Sequence, residues 1–150
     1  MKFESEKPMK ILILNGPNLN MLGLREPEIY GAQTLDDIKG MCVEWAASHD
    51  ATIDFRQSNH EGELVEWIQA ARGAIDGLII NAAAYTHTSL AIHDALKLLE
   101  CPIIEVHISD PKKREEFRHF SYVEPTAAHI IAGQGANGYI LALEKLREIL

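Results

Sequence analysis

Ile11-Leu12-Ile13-Leu14, running straight into Asn15-Gly16-Pro17-Asn18-Leu19-Asn20-Met21-Leu22-Gly23-Leu24-Arg25-Glu26-Pro27-Glu28-Ile29-Tyr30-Gly31, is the stretch on which the fold turns. The first four residues read as a buried strand, and a helix pattern begins at Thr34, so what lies between is a long loop leaving a strand's carboxyl end. Loops of this length are usually functional or disordered. Leu19, Met21, Leu22, Leu24 and Ile29 argue for order, since a solvated linker would not carry them. The loop's polar groups are amides, Arg25 and Tyr30, with no cluster of metal ligands and no nucleophilic Ser or Cys.

Working outward, strand and helix patterns alternate. Residues 1–9 are polar and aperiodic, expected as a short flexible extension, and 10–150 as one domain. Thr34 and Asp37 resemble a capping pair for a helix with the face Leu35, Ile38, Cys42, Trp45 and Ala46, ending near His49. Thr52–Gln57 alternates as a half-buried strand near the sheet edge. Leu64, Trp67, Ile68 and Ala71 mark a helix ending at Gly73, and Leu78–Ile80 a third strand. Ala91, Ala95, Leu98 and Leu99 mark a helix stopped by Pro102.

Ile103–Ile108 reads as the fourth strand, with Ile104, Val106 and Ile108 on one face and Glu105 and His107 on the other. Asp110-Pro111 opens a short helix through Arg118. His129–Ala132 reads as a fifth strand, and Tyr139 or Ile140, Leu143, Leu146 and Leu150 define the closing helix. The pattern predicts a doubly wound α/β domain, a mainly parallel five-stranded sheet with helices on both faces and right-handed crossovers. Ligands in such folds bind at the strands' carboxyl ends, near the topological switch point.

Composition narrows the function. A formal net charge of -8 argues against a nucleic-acid surface. Two cysteines suit reduced thiols in a cytosolic protein, and the absence of a signal peptide or spanning-length apolar run points to a soluble, cytoplasmic chain. Gly133, Gly135 and Gly138 spell G-x-G-x-x-G, but only the last helix follows, so a tight strand-to-helix turn is preferred to a dinucleotide site. No Walker loop, C-x-x-C or H-E-x-x-H is present, which makes chemistry without cofactor or metal the simplest reading.

Several side chains could carry that chemistry, each with a plainer alternative. Tyr30 is a poor base unless a guanidinium such as Arg25 favours its phenolate; equally, Tyr30 anchors the loop while Arg25 pairs with Glu26 or Glu28. Glu105 can orient His107 or hold it protonated as a general acid, or the two form a structural pair. Arg114 and Arg118, one helical turn apart, can clamp an anion with Ser109 beside them, or pair with Glu115 and Glu116. Asn18, Asn20 and Asn81 offer neutral amides at strand ends, or are turn residues. His87 can bind ligand or simply start its helix.

Taken together, these motifs are similar to those of the type II 3-dehydroquinate dehydratases, over about residues 10 to 149. The resemblance rests on Asn15-Gly16-Pro17-Asn18-Leu19-Asn20 with Leu22–Gly31, Gln57–Glu63, Tyr85-Thr86-His87-Thr88-Ser89, Glu105-Val106-His107-Ile108-Ser109 and Arg114–Arg118. It implies a flavodoxin-like fold and reversible trans elimination of water from 3-dehydroquinate, giving 3-dehydroshikimate through an enolate, in the shikimate or quinate pathway, with no metal, cofactor or Schiff base. Carried onto this chain, Tyr30 is the base, Arg25 lowers its pKa, Asn18 holds the water or enolate oxygen, and His107, oriented by Glu105, protonates the departing hydroxyl. Asn81, Ile108 and Ser109 bind the substrate carboxylate, His87 and Arg118 the ring hydroxyls, and Arg114 belongs to the lid. Asp94 is expected to reach a neighbouring subunit's site in a homododecamer, a tetramer of trimers. Ala82 departs from the Pro or Gly common there, without removing a reacting group.

Two rivals on similar folds fit less well. A flavin-binding electron carrier needs a hydroxyl-rich phosphate loop where Gly16-Pro17-Asn18-Leu19-Asn20 stands. A phospho-receiver domain needs an acceptor Asp at the third strand's end, where the chain has Asn81.

Overall fold

The computed structural model describes residues 7–24 and 26–150, with Pro27 and Tyr30 described by their backbone alone. Five parallel strands form one sheet in the order β2-β1-β3-β4-β5: β1 Met9–Asn15, β2 Ala51–Gln57, β3 Gly77–Asn81, β4 Ile103–His107 and β5 His129–Ala132. The expected doubly wound, flavodoxin-like architecture is what the chain adopts. The helices are α1 Pro27–Tyr30, α2 Leu35–Ala47, α3 Glu61–Ala71, α4 Leu90–Leu96 and α5 Asn137–Ile149.

Period-two alternation divides the strand side chains between two cores. Ile11, Ile13, Ile79, Ile104 and Val106 meet Ile38, Cys42 and Trp45 of α2 and Tyr139, Leu143 and Leu146 of α5. Leu12, Leu14, Leu78, Ile80 and Ile103 meet Leu64 and Ile68 of α3 and Ile92 and Leu96 of α4. β1 and β3 therefore carry the uninterrupted apolar runs Ile11–Leu14 and Leu78–Ile80 because both of their faces are covered, and β4 departs from this only at Glu105 and His107. β2, the strand at one edge of the sheet, shows the half-buried alternation its sequence suggested, with Ile53 and Phe55 packed against the α2 side.

The α2 start is a complete capping box: Asp37 N–H donates to Thr34 Oγ1 at 3.1 Å and Thr34 N–H to Asp37 Oδ2 at 2.9 Å. Such a cap satisfies two of the helix's orphan donors. The Cys42 thiol sits in the core beneath this helix, and burial pushes its pKa up to about 12, which makes it inert packing rather than a nucleophile.

Three expectations need correction. α4 ends at Leu96 and buries Ile92, Ala95 and Leu96, whereas Ala91 is exposed on it and Leu98 beyond it; the expected face is phased on Leu98 and Leu99, which lie past the helix's end. The segment after β4 is not one helix. It is two 3₁₀ turns, Pro111–Lys113 and Glu116–Arg118, separated by Arg114 in an extended conformation (φ -111°, ψ -162°). Asp110 does cap the first turn, accepting from Lys112 N–H at 3.0 Å. In the loop after β1, Leu19 and Leu22 are buried as the order argument requires, but Met21, Leu24 and Ile29 face solvent.

Candidate active site

The strand order reverses beside β1, which has β2 on one side and β3 on the other, and at that point Asn15 and Asn81 pair across the two carboxyl ends. A cavity of about 180 Å³ opens above this pair. Its walls come from the loop after β1 (Pro17, Asn18, Leu19), the turn after β3 (Asn81, Ala83, Ala84, His87) and the segment after β4 (His107, Ile108, Ser109, Pro111, Arg114, Arg118). It is the crevice expected for a doubly wound sheet.

The backbone is unusual on both sides of the crevice. Asn18 lies in the left-handed region at φ 70°, where an Asn side chain is tolerated, and its N–H donates to Asn59 Oδ1 at 2.9 Å. Gln57 supports the same group, giving Nε2–H to Asn59 Oδ1 at 3.0 Å and to the Gly16 carbonyl at 3.1 Å. After β3, Ala82 is right-handed and Ala83 turns left-handed at φ 53°, a costly conformation for Ala that is held by the Asn81 side chain accepting from Ala83 N–H at 3.2 Å. Ala82 is thus compatible with the turn, its own φ of -74° being one that Pro also adopts.

On β4, Glu105 and His107 project to the same side, as their spacing requires, and His107 Nε2 meets Glu105 Oε2 at 2.5 Å. Both are buried. Ser121 adds to the pair: its Oγ accepts from Val123 and Glu124 N–H at 3.1 and 3.0 Å, so its proton is directed onto Glu105 Oε2 at 2.9 Å. Glu105 Oε1 has no hydrogen-bond partner among the described residues. With Nε2 committed to Glu105, the His107 ring has Nδ1 left for the cavity.

His87 is fixed the other way round. Its Nδ1 lies 2.8 Å from the Phe120 carbonyl, which can only accept, so Nδ1 carries the proton and Nε2 is the free ring nitrogen. Burial holds the His87 pKa below the usual imidazole value, against the opposing pull of the Phe120 carbonyl; His107 and Arg118 lower it further and Glu105 raises it. A neutral His87 offers Nε2 as an acceptor for a hydroxyl.

Arg118 and Arg114 both reach the cavity, but not as neighbours on a helix. Arg118 Nε donates to Glu115 Oε1 at 2.9 Å, so the ion pair raised as its plainer alternative exists alongside its place in the wall. Arg114 Nη1 donates to Ser109 Oγ at 3.3 Å. Ile108 buries its side chain in the α2/α5 core, so any ligand contact there is made by its main chain. The Ile108 and Ser109 carbonyls accept from Gly135 and Gly133 N–H, and both glycines have positive φ. The G-x-G-x-x-G stretch is therefore a turn that braces this segment.

Asp94 is exposed on α4 and is not brought to the cavity of its own chain. Arg25 lies outside the described residues, as does the Tyr30 side chain, whose backbone closes α1. Among the described residues, no group of three His, Cys, Asp or Glu is placed to hold a metal ion, and no helix is long and apolar enough to cross a membrane. Sequence reasoning did not single out Ser121, Asn59 or Tyr139 as site-supporting residues: a loop Ser and a helix-core Tyr carry no local signal. Gln57 and Asn59 stood only within a motif.

Fold and crevice define a flavodoxin-like α/β protein with a small, polar cleft at its switch point. The family model for class II dehydroquinases matches residues 9–147. The chain is 56% identical over 137 residues to the 3-dehydroquinate dehydratase of Streptomyces coelicolor, covering 91% of this chain and 87% of that one. It is 55% identical over 144 residues to 3-dehydroquinate dehydratase 2 of Pseudomonas putida, covering 96% of each. The type II dehydroquinase structure from Butyrivibrio crossotus superposes with a TM-score of 0.91 at 47% identity, over 93% of this chain and 98% of that one. The chain belongs to the type II 3-dehydroquinate dehydratases, which are hydro-lyases.

Proposed function

We propose that the switch-point cavity dehydrates 3-dehydroquinate by a trans elimination through an enolate, with base and acid on opposite walls. Tyr30, its pKa lowered by Arg25, takes the C2 proton. The enolate is stabilised by Asn18, whose main chain is held by Asn59. His107, oriented and charge-balanced by Glu105, gives its proton to the departing C1 hydroxyl, which leaves as water. One proton is taken and one given, so the cycle closes when Tyr30 loses its proton to solvent and His107 regains one.

The remaining residues bind. Asn81 and the Ile108–Ser109 main chain take the carboxylate, His87 Nε2 accepts from one ring hydroxyl, Arg118 donates to another, and Arg114 holds the lid. Asp94, exposed and turned away from its own cavity, completes a neighbour's site in a dodecamer built as a tetramer of trimers. Residues 10–150 act as the catalytic domain in the cytoplasm, and residues 1–9 are an extension without a catalytic part.

The observation that carries this reading is the buried Glu105–His107 pair, whose imidazole lines the cavity beside the space a substrate would fill. Two arginines and no lysine stand among the described lining residues, which suits an enolate better than an imine. Dehydration beside a ketone makes a conjugated enone, so 3-dehydroquinate is expected to give a growing ultraviolet absorbance that neither chelator nor borohydride abolishes. Inactivation by borohydride in the presence of substrate would point to an imine and overturn the mechanism.

A further inference from the structure

Beneath the cavity, three side chains from three elements form one directed hydrogen-bond chain. Tyr139 enters from α5, fully buried, and its hydroxyl donates to Asn15 Oδ1 at 2.6 Å while accepting from Asn81 Nδ2 at 3.1 Å. Main-chain groups fix the polarity at both ends. The Arg56 carbonyl can only accept, so it takes Asn15 Nδ2–H at 3.0 Å; the Ala83 N–H can only donate, and it gives to Asn81 Oδ1 at 3.2 Å. Neither amide can therefore be reversed without breaking two bonds.

The chain determines what Asn81 can show the cavity. Its carbonyl oxygen already accepts from Ala83, and one N–H is given to Tyr139, so a single N–H remains as the donor it can offer a ligand. We infer that Tyr139 is a positioning residue for substrate: through Asn81 it aims that one N–H at the carboxylate. This rests on the proposal that Asn81 binds the carboxylate. Burial pushes the Tyr139 pKa up, so the hydroxyl keeps its proton and the polarity of the chain does not change across the working pH range.

Removing the hydroxyl while keeping the ring, Tyr139→Phe, leaves the second Asn81 N–H without an acceptor and the amide free to tilt. A net hydrogen bond of about 0.5–1.5 kcal/mol corresponds to a KM raised by about two- to twelvefold, with kcat changed by less than about twofold. The test is a double-mutant cycle with Asn81→Ala, read as KM, kcat and thermal midpoint. The expected result is that Asn81→Ala raises KM and that adding Tyr139→Phe to it raises KM no further, although it lowers the thermal midpoint in both backgrounds. If Asn81→Ala raises KM but Tyr139→Phe leaves KM alone, or raises it equally in both backgrounds, Tyr139 is merely structural and the inference falls. If Asn81→Ala itself leaves KM unchanged, the carboxylate assignment fails and the inference goes with it. Should Tyr139→Phe not fold, Asn15→Leu carries the test: it takes the acceptor from the Tyr139 proton, so the hydroxyl is no longer held with a lone pair toward Asn81 Nδ2–H. Its KM is expected to rise, and a KM equal to that of the parent would overturn the inference.

Discussion

Gly16 is where the catalytic loop leaves the sheet, and Gly16→Ala should loosen that junction. A Cβ built there lies 2.3 Å from the Ala82 carbonyl oxygen and 2.6 Å from its carbon, both main-chain atoms that no rotamer change can move. Ordinary contacts with carbon begin near 3.5 Å, so the two segments must separate by about 1 Å. That stretches the Gly16 N–H to Asn81 carbonyl bond from 2.8 Å to beyond hydrogen-bond range. Overpacking costs about 1–3 kcal/mol and the lost bond about 0.5–1.5 kcal/mol more, together about 2–4 kcal/mol. For a chain of 150 residues this amounts to a thermal midpoint lowered by about 5–15 °C. The same separation moves Asn18 relative to Asn81, both of which line the cavity, so kcat/KM should fall by at least about tenfold. Circular dichroism melting and the enone assay measure the two effects. A midpoint within about 2 °C of the parent, with activity retained, would refute the claim that main-chain contact at this position sets the cavity's width.

Three further outcomes follow from the site. Tyr30→Phe should keep the fold and lose nearly all turnover; substantial residual enone formation would remove Tyr30 as the base. Glu105→Gln keeps the size of the side chain but removes the carboxylate that His107 Nε2 meets and places an amide where Oε1 has no described partner, so kcat should drop by about 10–100-fold with KM little changed. Steady-state kinetics decide it, and an undiminished kcat would make the pair structural. His87, with its pKa depressed in the folded chain, stays neutral there while the unfolded chain takes up a proton below about pH 6.5, so stability is lost as pH falls from that value toward the folded pKa. His87→Gln should flatten the fall in thermal midpoint between about pH 7 and 5; an unaltered slope would assign that acid sensitivity elsewhere.

What was legible in the sequence is what depends on local spacing. Ile11–Leu14, the Thr34/Asp37 box and the alternation of Glu105 and His107 all declare themselves within a few residues, and each is found in the fold. The misreadings share another cause. Ala91, Leu98 and Leu99 fit a helical period, but a period does not say where a helix stops, and α4 stops at Leu96. Arg114 and Arg118 sit four residues apart, yet they meet in the cavity because an extended Arg114 breaks the helix between them. Least legible are groups whose roles come only from partners far along the chain: Ser121 reaches Glu105 across 16 positions, and Tyr139 reaches Asn15 across 124. Tyr139 occupies a position that any large apolar residue could fill, and only the two asparagines above it explain a hydroxyl there. A buried tyrosine normally needs a partner for that hydroxyl. Here the requirement runs in both directions, since two strand-end amides at the switch point need a group that accepts from one and donates to the other, and phenylalanine can do neither.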